Sequence, residues 1–258
     1  MSKKYDKKVI CFLDILGFTN IVYNKSKEEV ETIFNDVSSF AKLILQDTNL
    51  QDSDIQITNF SDSIVISYNL DSENQLVFII QYLQDMLIHF IKIGILIRGA
   101  ITRGELFHLN NTVFGSGLIE AYALESKVAI YPRIIIRRDV LWFEKFSPEF
   151  EQISQESLIK NLQLDLDGWH YIDFLNIIND FSSLDEYLSY ISKILDLITK
   201  YSIKNIEVKL KYGWLNKKIN DILKNLIQQN LYEQELSKLK ELQQKCRNNT
   251  MSLSSIKY

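Results

Sequence analysis

The sequence has few of the residues that mark several common protein classes. Its 258 residues include two cysteines, Cys11 and Cys246, so neither a disulfide framework nor a cysteine-based zinc site is expected. Two prolines and eight glycines beside 46% hydrophobic residues argue against a disordered or collagen-like chain. The most hydrophobic stretch, residues 75–97, is broken by charged and amide side chains, so no membrane span is expected.

Charge is distributed unevenly along the chain. The net charge is −4, whereas residues 201–258 carry eleven Lys/Arg against five Asp/Glu. No aromatic stacking motif or arginine-rich groove accompanies this basic segment, so a solvated helical face or interdomain docking is favoured over nucleic-acid binding. No signal-peptide pattern precedes the first apolar run, and a cytoplasmic location is expected.

The most informative segment is Cys11–Thr19, in which an apolar strand ends at Asp14 and a glycine turn follows directly. A second acid, Asp62, lies between two further strand-like runs. Two carboxylates at strand ends can hold divalent cations, and Gly17 lets phosphate oxygens approach backbone N–H groups. This combination indicates nucleotide chemistry. The alternatives are a strand-ending cap for Asp14 and ordinary turn chemistry for Asp62.

The pattern of apolar residues predicts an α+β core. The continuous run Val9–Leu13 is typical of a central strand, and Ser26 with Glu29 forms a capping box that begins a long amphipathic helix. Further elements are a hairpin over 55–67, a helix over 76–91, strands over 95–102 and 134–136, and a short helix over 116–127. The expected core is a ferredoxin-like or palm-like antiparallel sheet with helices on one face.

Two domains are predicted. Residues 1–178 should form the α+β domain, and residues 179–258 should form a helical C-terminal appendage, because apolar residues recur there at helical spacing. Residues 231–246 are polar enough for a projecting helix.

The segment Phe12–Thr19 resembles the first metal motif of the class III nucleotide cyclases, the superfamily of adenylate and guanylate cyclase catalytic domains. That motif has an aromatic residue, a spacer, Asp-Ile, a spacer and Gly-Phe-Thr. The second metal motif is a hairpin with Gly-Asp, and here Ser61 precedes Asp62, so the acid is kept and the glycine is not. Residues 97–104 resemble the family's next core strand, and residues 113–115 followed by 118–125 resemble its dimer-facing turn and helix.

This resemblance implies a two-metal active site. Two Mn²⁺ or Mg²⁺ ions would be held by Asp14, Asp62 and the backbone carbonyl of Ile15. The turn would cover the triphosphate with Gly17, Phe18 and Thr19. The ribose 3′-hydroxyl would attack the α-phosphorus and pyrophosphate would leave, within a symmetric homodimer.

The departures from the family concern base and phosphate recognition. The positions that read a purine edge correspond to Thr58 and Thr112, so neither purine code is present. The family's asparagine and arginine on the following helix are also missing. Arg98 and Arg103 are the available catalytic cations, and an ion pair with a carboxylate of the body is the alternative role of Arg98.

The segments Phe60–Ser63 and Tyr131–Arg133, together with the helical tail, resemble one branch of the superfamily, the pyrimidine cyclases of the Pycsar antiphage systems. Membership would imply synthesis of cyclic UMP or cyclic CMP from UTP or CTP, and activation of a separately encoded effector. Two alternatives remain open: a catalytically degenerate homologue that senses nucleotides or dimerises, and a purine cyclase with altered recognition.

Overall fold

The computed structural model divides the chain into two compact units. The first comprises Met1–Leu87 and Leu96–Ile172, and the second comprises Ile88–Ile95 and Asp173–Tyr258. The predicted domain boundary between residues 178 and 179 stays a prediction. The structure describes residues 5–47, 55–69, 73–141, 160–201, 206–229 and 232–254.

The α+β elements follow one another in the order that the apolar pattern predicts, with short additions. They are β1 (Lys7–Ile15), α1 (Phe18–Asn24), α2 (Lys27–Asp47), β2 (Ile55–Phe60), β3 (Ser63–Tyr68), α3 (Glu73–Lys92), β4 (Ile97–Glu105), β5 (Phe107–Leu109), β6 (Thr112–Phe114), α4 (Ser116–Lys127), β7 (Ile134–Ile136), α5 (Arg138–Leu141), β8 (Leu162–Leu164) and β9 (His170–Ile172). The additions are α1, α5, β8 and the hairpin of β5 and β6.

Seven strands form one sheet in the order β2-β3-β1-β4-β7-β9-β8. The strand β1 lies inside this sheet and pairs antiparallel with β3 on one side and β4 on the other. Among the strand pairs that the structure describes, β4 with β7 is parallel and the others are antiparallel. The predicted α+β class with a mainly antiparallel sheet is therefore confirmed.

Both faces of β1 are buried, as its continuous apolar run predicts. Val9, Cys11 and Leu13 are 0% exposed on one face. Ile10 is 0% and Phe12 is 5% exposed on the other, because successive side chains of a strand point to opposite faces. Burial also raises the pKa of the Cys11 thiol to about 12, so this cysteine is a packing residue and not a nucleophile.

The predicted capping box is confirmed at the start of α2. The backbone N–H of Ser26 donates to the Glu29 carboxylate at 2.9 Å, and the N–H of Glu29 donates to Ser26 Oγ at 3.3 Å. The first of these bonds, with the neighbouring Lys25, holds the pKa of Glu29 below its usual value. The reciprocal bonds satisfy two backbone donors that a helix start otherwise leaves exposed.

The helix α4 packs on the sheet face that carries Ile10 and Phe12. Two glycines allow its close approach: a Cβ atom on Gly117 would lie 2.4 Å from Ile10 Cδ1, and one on Gly104 would lie 2.6 Å from the Cα of Gly117. The Gly104 clash would be with backbone, which no side-chain rotation relieves, and a Cβ atom on Gly117 would also lie 3.0 Å from the backbone of Gly104. These two positions therefore fix α4 against β1 and β4.

The second unit contains three long helices, α6 (Leu184–Tyr201), α7 (Ile206–Gln228) and α8 (Leu236–Ser254). The apolar spacing that predicts α6 is confirmed, because Tyr187, Ile191 and Ile194 are buried along one side of it. The prediction of a projecting helix over 231–246 is wrong in the described part. There α8 buries Leu239, and its Cys246 carbonyl accepts a bond of 3.0 Å from Asn216 on α7. No helix in the described ranges is both long and apolar enough to cross a membrane.

Candidate active site

The two motif acids lie at neighbouring strand ends. Asp14 pairs across the sheet with Ser63, the first residue of β3, so Asp62 is one residue beyond this pairing. The N–H of Ile15 donates to the Asp62 carbonyl at 3.0 Å, which joins the two turns directly. The structure thus brings together the backbone of the three positions that the cyclase resemblance assigns to metal binding.

Ser61 occupies the place of the family's glycine. Its φ of 54° lies in the left-handed region, where glycine is favoured and a residue with a Cβ atom is uncommon. The backbone conformation that a glycine would adopt without strain is therefore kept in the turn before Asp62, although the glycine itself is absent.

The turn after β1 is open on the side of its glycine. Gly17 has a φ of 75°, and apart from its own chain neighbours no atom of the described residues lies within 4 Å of the position that a Cβ would take there. It precedes α1, whose first residue, Phe18, packs edge-to-face on Phe34 with ring centroids 5.6 Å apart. Thr19 is exposed. This geometry leaves room beside the turn for a phosphate group.

Arg98 lies directly opposite Asp14 in the pairing of β4 with β1. Its Nε donates to Asp14 Oδ2 at 3.0 Å, and the same nitrogen lies 2.7 Å from Glu125 Oε1 on α4. The side chains of Asp14 and Arg98 are 17% and 18% exposed, and that of Glu125 is 3% exposed. The ion-pair alternative for Arg98 is confirmed, and its partner is the first metal-motif acid itself.

Glu125 is a site residue that sequence reasoning missed. It follows Gly117 and Ala121 at intervals of four residues, and all three are buried on the inner side of α4. A glutamate at an apolar-face position is unusual, because burying an unpaired carboxylate is costly. The sequence signal that could have identified Glu125 was therefore a glutamate in the apolar pattern of this helix.

Arg103, the second arginine that the sequence offers as a catalytic cation, lies away from Asp14 and Arg98. It pairs with Val9, five residues farther along β4 than Arg98, which corresponds to about 17 Å along the strand. The two arginines also project from opposite faces of the sheet, since they are five positions apart and successive side chains alternate between faces. Within one subunit, Arg103 therefore does not approach Asp14.

Thr58 and Thr112 differ in their surroundings. Thr58 is 6% exposed, and its hydroxyl donates to the Asn110 carbonyl at 2.9 Å. Thr112 is exposed on β6 and pairs with Leu109 across the short hairpin. The two positions are linked through Asn110, which lies in the turn of that hairpin.

A buried histidine completes this link. Nε2 of His108 lies 2.8 Å from Thr58 Oγ1, and its Nδ1 lies 2.8 Å from Ser67 Oγ. Because the Thr58 hydroxyl donates to Asn110, it must accept from His108, which places the imidazole proton on Nε2 and lets Nδ1 accept from Ser67. In this series of hydrogen bonds Ser67 donates to His108, His108 donates to Thr58, and Thr58 donates to Asn110.

This neutral histidine predicts a pH-dependent stability. Burial, with a smaller contribution from the positive charge of Lys8, lowers the pKa of His108 from 6.5 to about 4. Between these values the unfolded chain binds a proton that the folded chain does not, so stability falls as the pH decreases from 6.5 to about 4. Urea unfolding at pH 7 and pH 5 should show this loss in the wild type, with about 2 kcal/mol as its upper limit.

The matched comparison is between two histidine variants. His108→Gln should remove that part of the pH dependence, whereas His89→Gln on α3 should retain it. An equal pH dependence in the wild type and in His108→Gln would contradict the prediction.

The outer side of α4 exposes two large apolar side chains among polar ones. Ile119 is 70% exposed, and Tyr122 is 57% exposed with its ring against Phe12 at a centroid distance of 5.6 Å. Glu120 on the same helix pairs with Arg137, whose Nη2 donates to the Arg103 carbonyl at 2.7 Å. The exposed side chains of Ile119 and Tyr122 therefore lie on the helix that covers the Phe12 face of the sheet.

The Tyr131–Arg133 segment holds a buried ion-pair cluster at the start of β7. Arg133 is 0% exposed and pairs with Asp165 and Asp167 in the turn between β8 and β9. Its guanidinium also lies 5.2 Å from the ring centroid of Tyr131. The segment therefore ties the end strands of the sheet to its centre.

The donor set at the strand ends fits a hard divalent cation. The carboxylates of Asp14 and Asp62 and the carbonyl of Ile15 offer oxygen atoms alone, which suit Mg²⁺ and Mn²⁺. Such ions in nucleotide enzymes usually take one or two carboxylates and share the remaining positions with water and substrate phosphates. Within the parts of the chain that the structure describes, no group of three or more His, Cys, Asp or Glu is placed to hold a metal.

Comparison with known proteins gives structural matches. No protein-family model and no curated protein matches the chain. The catalytic core of a rhodopsin-guanylyl cyclase with converted specificity, in complex with ATPαS, matches with 15% identity and a TM-score of 0.40, over 65% of this chain and 95% of that one.

Two structures of bacterial light-regulated adenylyl cyclase also match. One has 16% identity and a TM-score of 0.39, over 55% of this chain and 81% of that one. The other has 17% identity and a TM-score of 0.38, over 52% of this chain and 44% of that one. At this similarity the activity of the present chain has to be inferred from its own site residues.

Proposed function

We propose that this protein is a nucleotide cyclase that makes a cyclic nucleotide and pyrophosphate from a nucleoside triphosphate. The observation that carries the proposal is the joining of two motif acids, Asp14 and Asp62, at neighbouring strand ends beside the open Gly17 turn. A strand-end acid alone is common, but two of them next to a turn that exposes backbone donors suit a triphosphate with its cations.

In this proposal Asp14, Asp62 and the Ile15 carbonyl hold two Mg²⁺ or Mn²⁺ ions. When bound, such ions neutralise phosphate charge and lower the pKa of a coordinated hydroxyl. The protein itself positions the substrate, with Gly17, Phe18 and Thr19 beside the phosphates so that the ribose 3′-hydroxyl is in line with the α-phosphorus. Arg98 supplies a positive charge at the same strand end.

The substrate is proposed to be UTP or CTP, with cyclic UMP favoured over cyclic CMP. The purine-reading side chains of the family are absent at Thr58 and Thr112, and a short hydroxyl has a shorter reach than a lysine or an aspartate. Since the Thr58 hydroxyl is already bonded to Asn110 and His108, we infer that Thr58 acts by placing the β5–β6 hairpin, while Thr112 faces outward.

A homodimer is part of the proposal, because the apolar surface of Ile119 and Tyr122 adjoins the site and a two-fold axis would make both sites equivalent. The cyclic nucleotide would act on a separately encoded effector in antiphage defence, in the cytoplasm. These last roles rest on the resemblance to the pyrimidine cyclases alone.

A direct product assay tests the proposal. The purified protein is incubated with an equimolar mixture of ATP, GTP, CTP and UTP and with Mn²⁺, and products are identified by mass and by retention against 3′,5′-cyclic standards. Cyclic UMP or cyclic CMP is expected. Mostly cyclic AMP or cyclic GMP would reject the pyrimidine assignment and keep the cyclase, and the absence of any cyclic product would reject the cyclase.

A second candidate is a nucleotide-binding module without turnover. Two observations favour it: Asp14 is engaged by Arg98, and Ile119 and Ala123 stand at the positions of the family's asparagine and arginine. Saturable binding of a triphosphate that is recovered unchanged, in the presence of Mn²⁺, is the result expected for this candidate.

A further inference from the structure

Arg98 is placed so that it can change its carboxylate partner with little movement. Its Nε carries a single hydrogen, which is donated to Asp14 Oδ2 at 3.0 Å. Glu125 Oε1 lies even closer to the same nitrogen, at 2.7 Å. One N–H cannot point well at two acceptors, because hydrogen bonds weaken steeply away from linearity. A small rotation of the guanidinium therefore suffices to transfer the bond from one acid to the other.

The charges of the cluster favour an additional cation. With both acids ionised, Asp14, Glu125 and Arg98 together carry a net charge of −1, and their side chains are at most 18% exposed. Partly buried charges interact more strongly than exposed ones. Asp14 belongs to the candidate metal site, whereas Glu125 is a buried residue of α4.

We propose that Arg98 is an exchangeable counter-cation of Asp14, with Glu125 as the positioning residue that receives it. A divalent cation bound by Asp14 repels the guanidinium of Arg98 and neutralises the negative charge of the Asp14 carboxylate. The hydrogen bond donated by Nε of Arg98 then moves to Glu125. The inference deepens the proposed cyclase function, on which it rests through the metal site at Asp14.

The arrangement explains why a glutamate lies on the apolar side of α4. Without Glu125, a cation at Asp14 would leave a largely buried guanidinium without a carboxylate partner among the described residues of this cluster, which is unfavourable. With Glu125, Arg98 is paired both before and after cation binding. It also stays beside Asp14, where its other nitrogens can contact a phosphate oxygen.

The direct test observes the Nε–H group itself. NMR of the full chain, labelled with ¹⁵N at arginine, follows the Arg98 Nε–H resonance during titration with Mg²⁺ alone. We expect this resonance to shift on binding and to reach a plateau, and we expect the same titration to leave it unshifted in Asp14→Asn. A resonance that stays in place while Mg²⁺ occupies the Asp14 site would overturn the exchange.

Affinity for Mn²⁺ provides the second measurement, with free Mn²⁺ counted by its paramagnetic resonance signal. Glu125→Gln should weaken Mn²⁺ binding about tenfold, since Arg98 then has Asp14 as its remaining carboxylate in this cluster. Arg98→Gln should strengthen it by a similar factor. The matched control is Glu120→Gln, the same change at an exposed position of the same helix, and its affinity should stay within twofold of the wild type.

The outcomes separate the two proposals. Absence of Mn²⁺ binding and of cyclic product overturns both of them. Normal cyclase activity with an unmoved Arg98 resonance, or with equal Mn²⁺ affinity in Glu125→Gln and Glu120→Gln, overturns the exchange and leaves the cyclase. A purine product changes the substrate and leaves the exchange intact.

Discussion

Replacing Asp14 or Asp62 by asparagine should lower the rate of cyclic nucleotide formation by about 10²–10³-fold, the effect typical of removing one key electrostatic contact. Asparagine keeps the shape of the side chain and removes the charge that a divalent cation needs. Asp14→Asn should fold normally, because Arg98 retains Glu125 at 2.7 Å from its Nε. Turnover is measured with saturating Mn²⁺, and folding is checked by circular dichroism and thermal unfolding.

The matched control is Asp221→Asn, the same change at an exposed position of α7 in the second unit. It should keep full activity. Chelation of the divalent cation should reduce the wild type to the level of the two site variants, and added Mn²⁺ should restore only the wild type. Full activity in Asp14→Asn or Asp62→Asn would exclude the strand-end acids as the catalytic site.

Arg133→Met should lower the free energy of unfolding more than the other substitutions proposed for this protein. The guanidinium of Arg133 is 0% exposed, and its partner Asp165 has a side chain that is 5% exposed. Removing one member of a buried ion pair leaves the other charge uncompensated, which costs about 3–5 kcal/mol. For a protein of this size the midpoint of thermal unfolding should fall by about 10 °C.

The control for this prediction is Arg138→Met, at an exposed arginine of α5, which should change stability by less than about 0.5 kcal/mol. Adding Asp165→Asn to Arg133→Met should recover part of the loss, because the uncompensated carboxylate is then removed as well. Equal unfolding midpoints for Arg133→Met and the wild type would show that the pair does not support the sheet.

Local sequence patterns predicted the main elements because their causes are local. The capping box of Ser26 and Glu29 involves residues three positions apart, and the apolar run in β1 reflects burial on both faces. The short hairpin of β5 and β6 was missed because strands of three residues are too short for a periodic pattern. Its position depends on bonds from Asn110 to β2, which are distant in the sequence.

The α+β order of elements and the two motif acids with their glycine turn can be predicted from local sequence, since they depend on residue type and spacing within short segments. The partners of the charged groups depend instead on how the folded chain brings distant segments together. Arg98 lies 84 residues from Asp14 along the chain, yet the register of β4 against β1 places them opposite each other. Glu125 joins them only because Gly104 and Gly117 let α4 approach the sheet closely. Such pairings depend on strand register and helix packing, which no spacing within a single segment encodes.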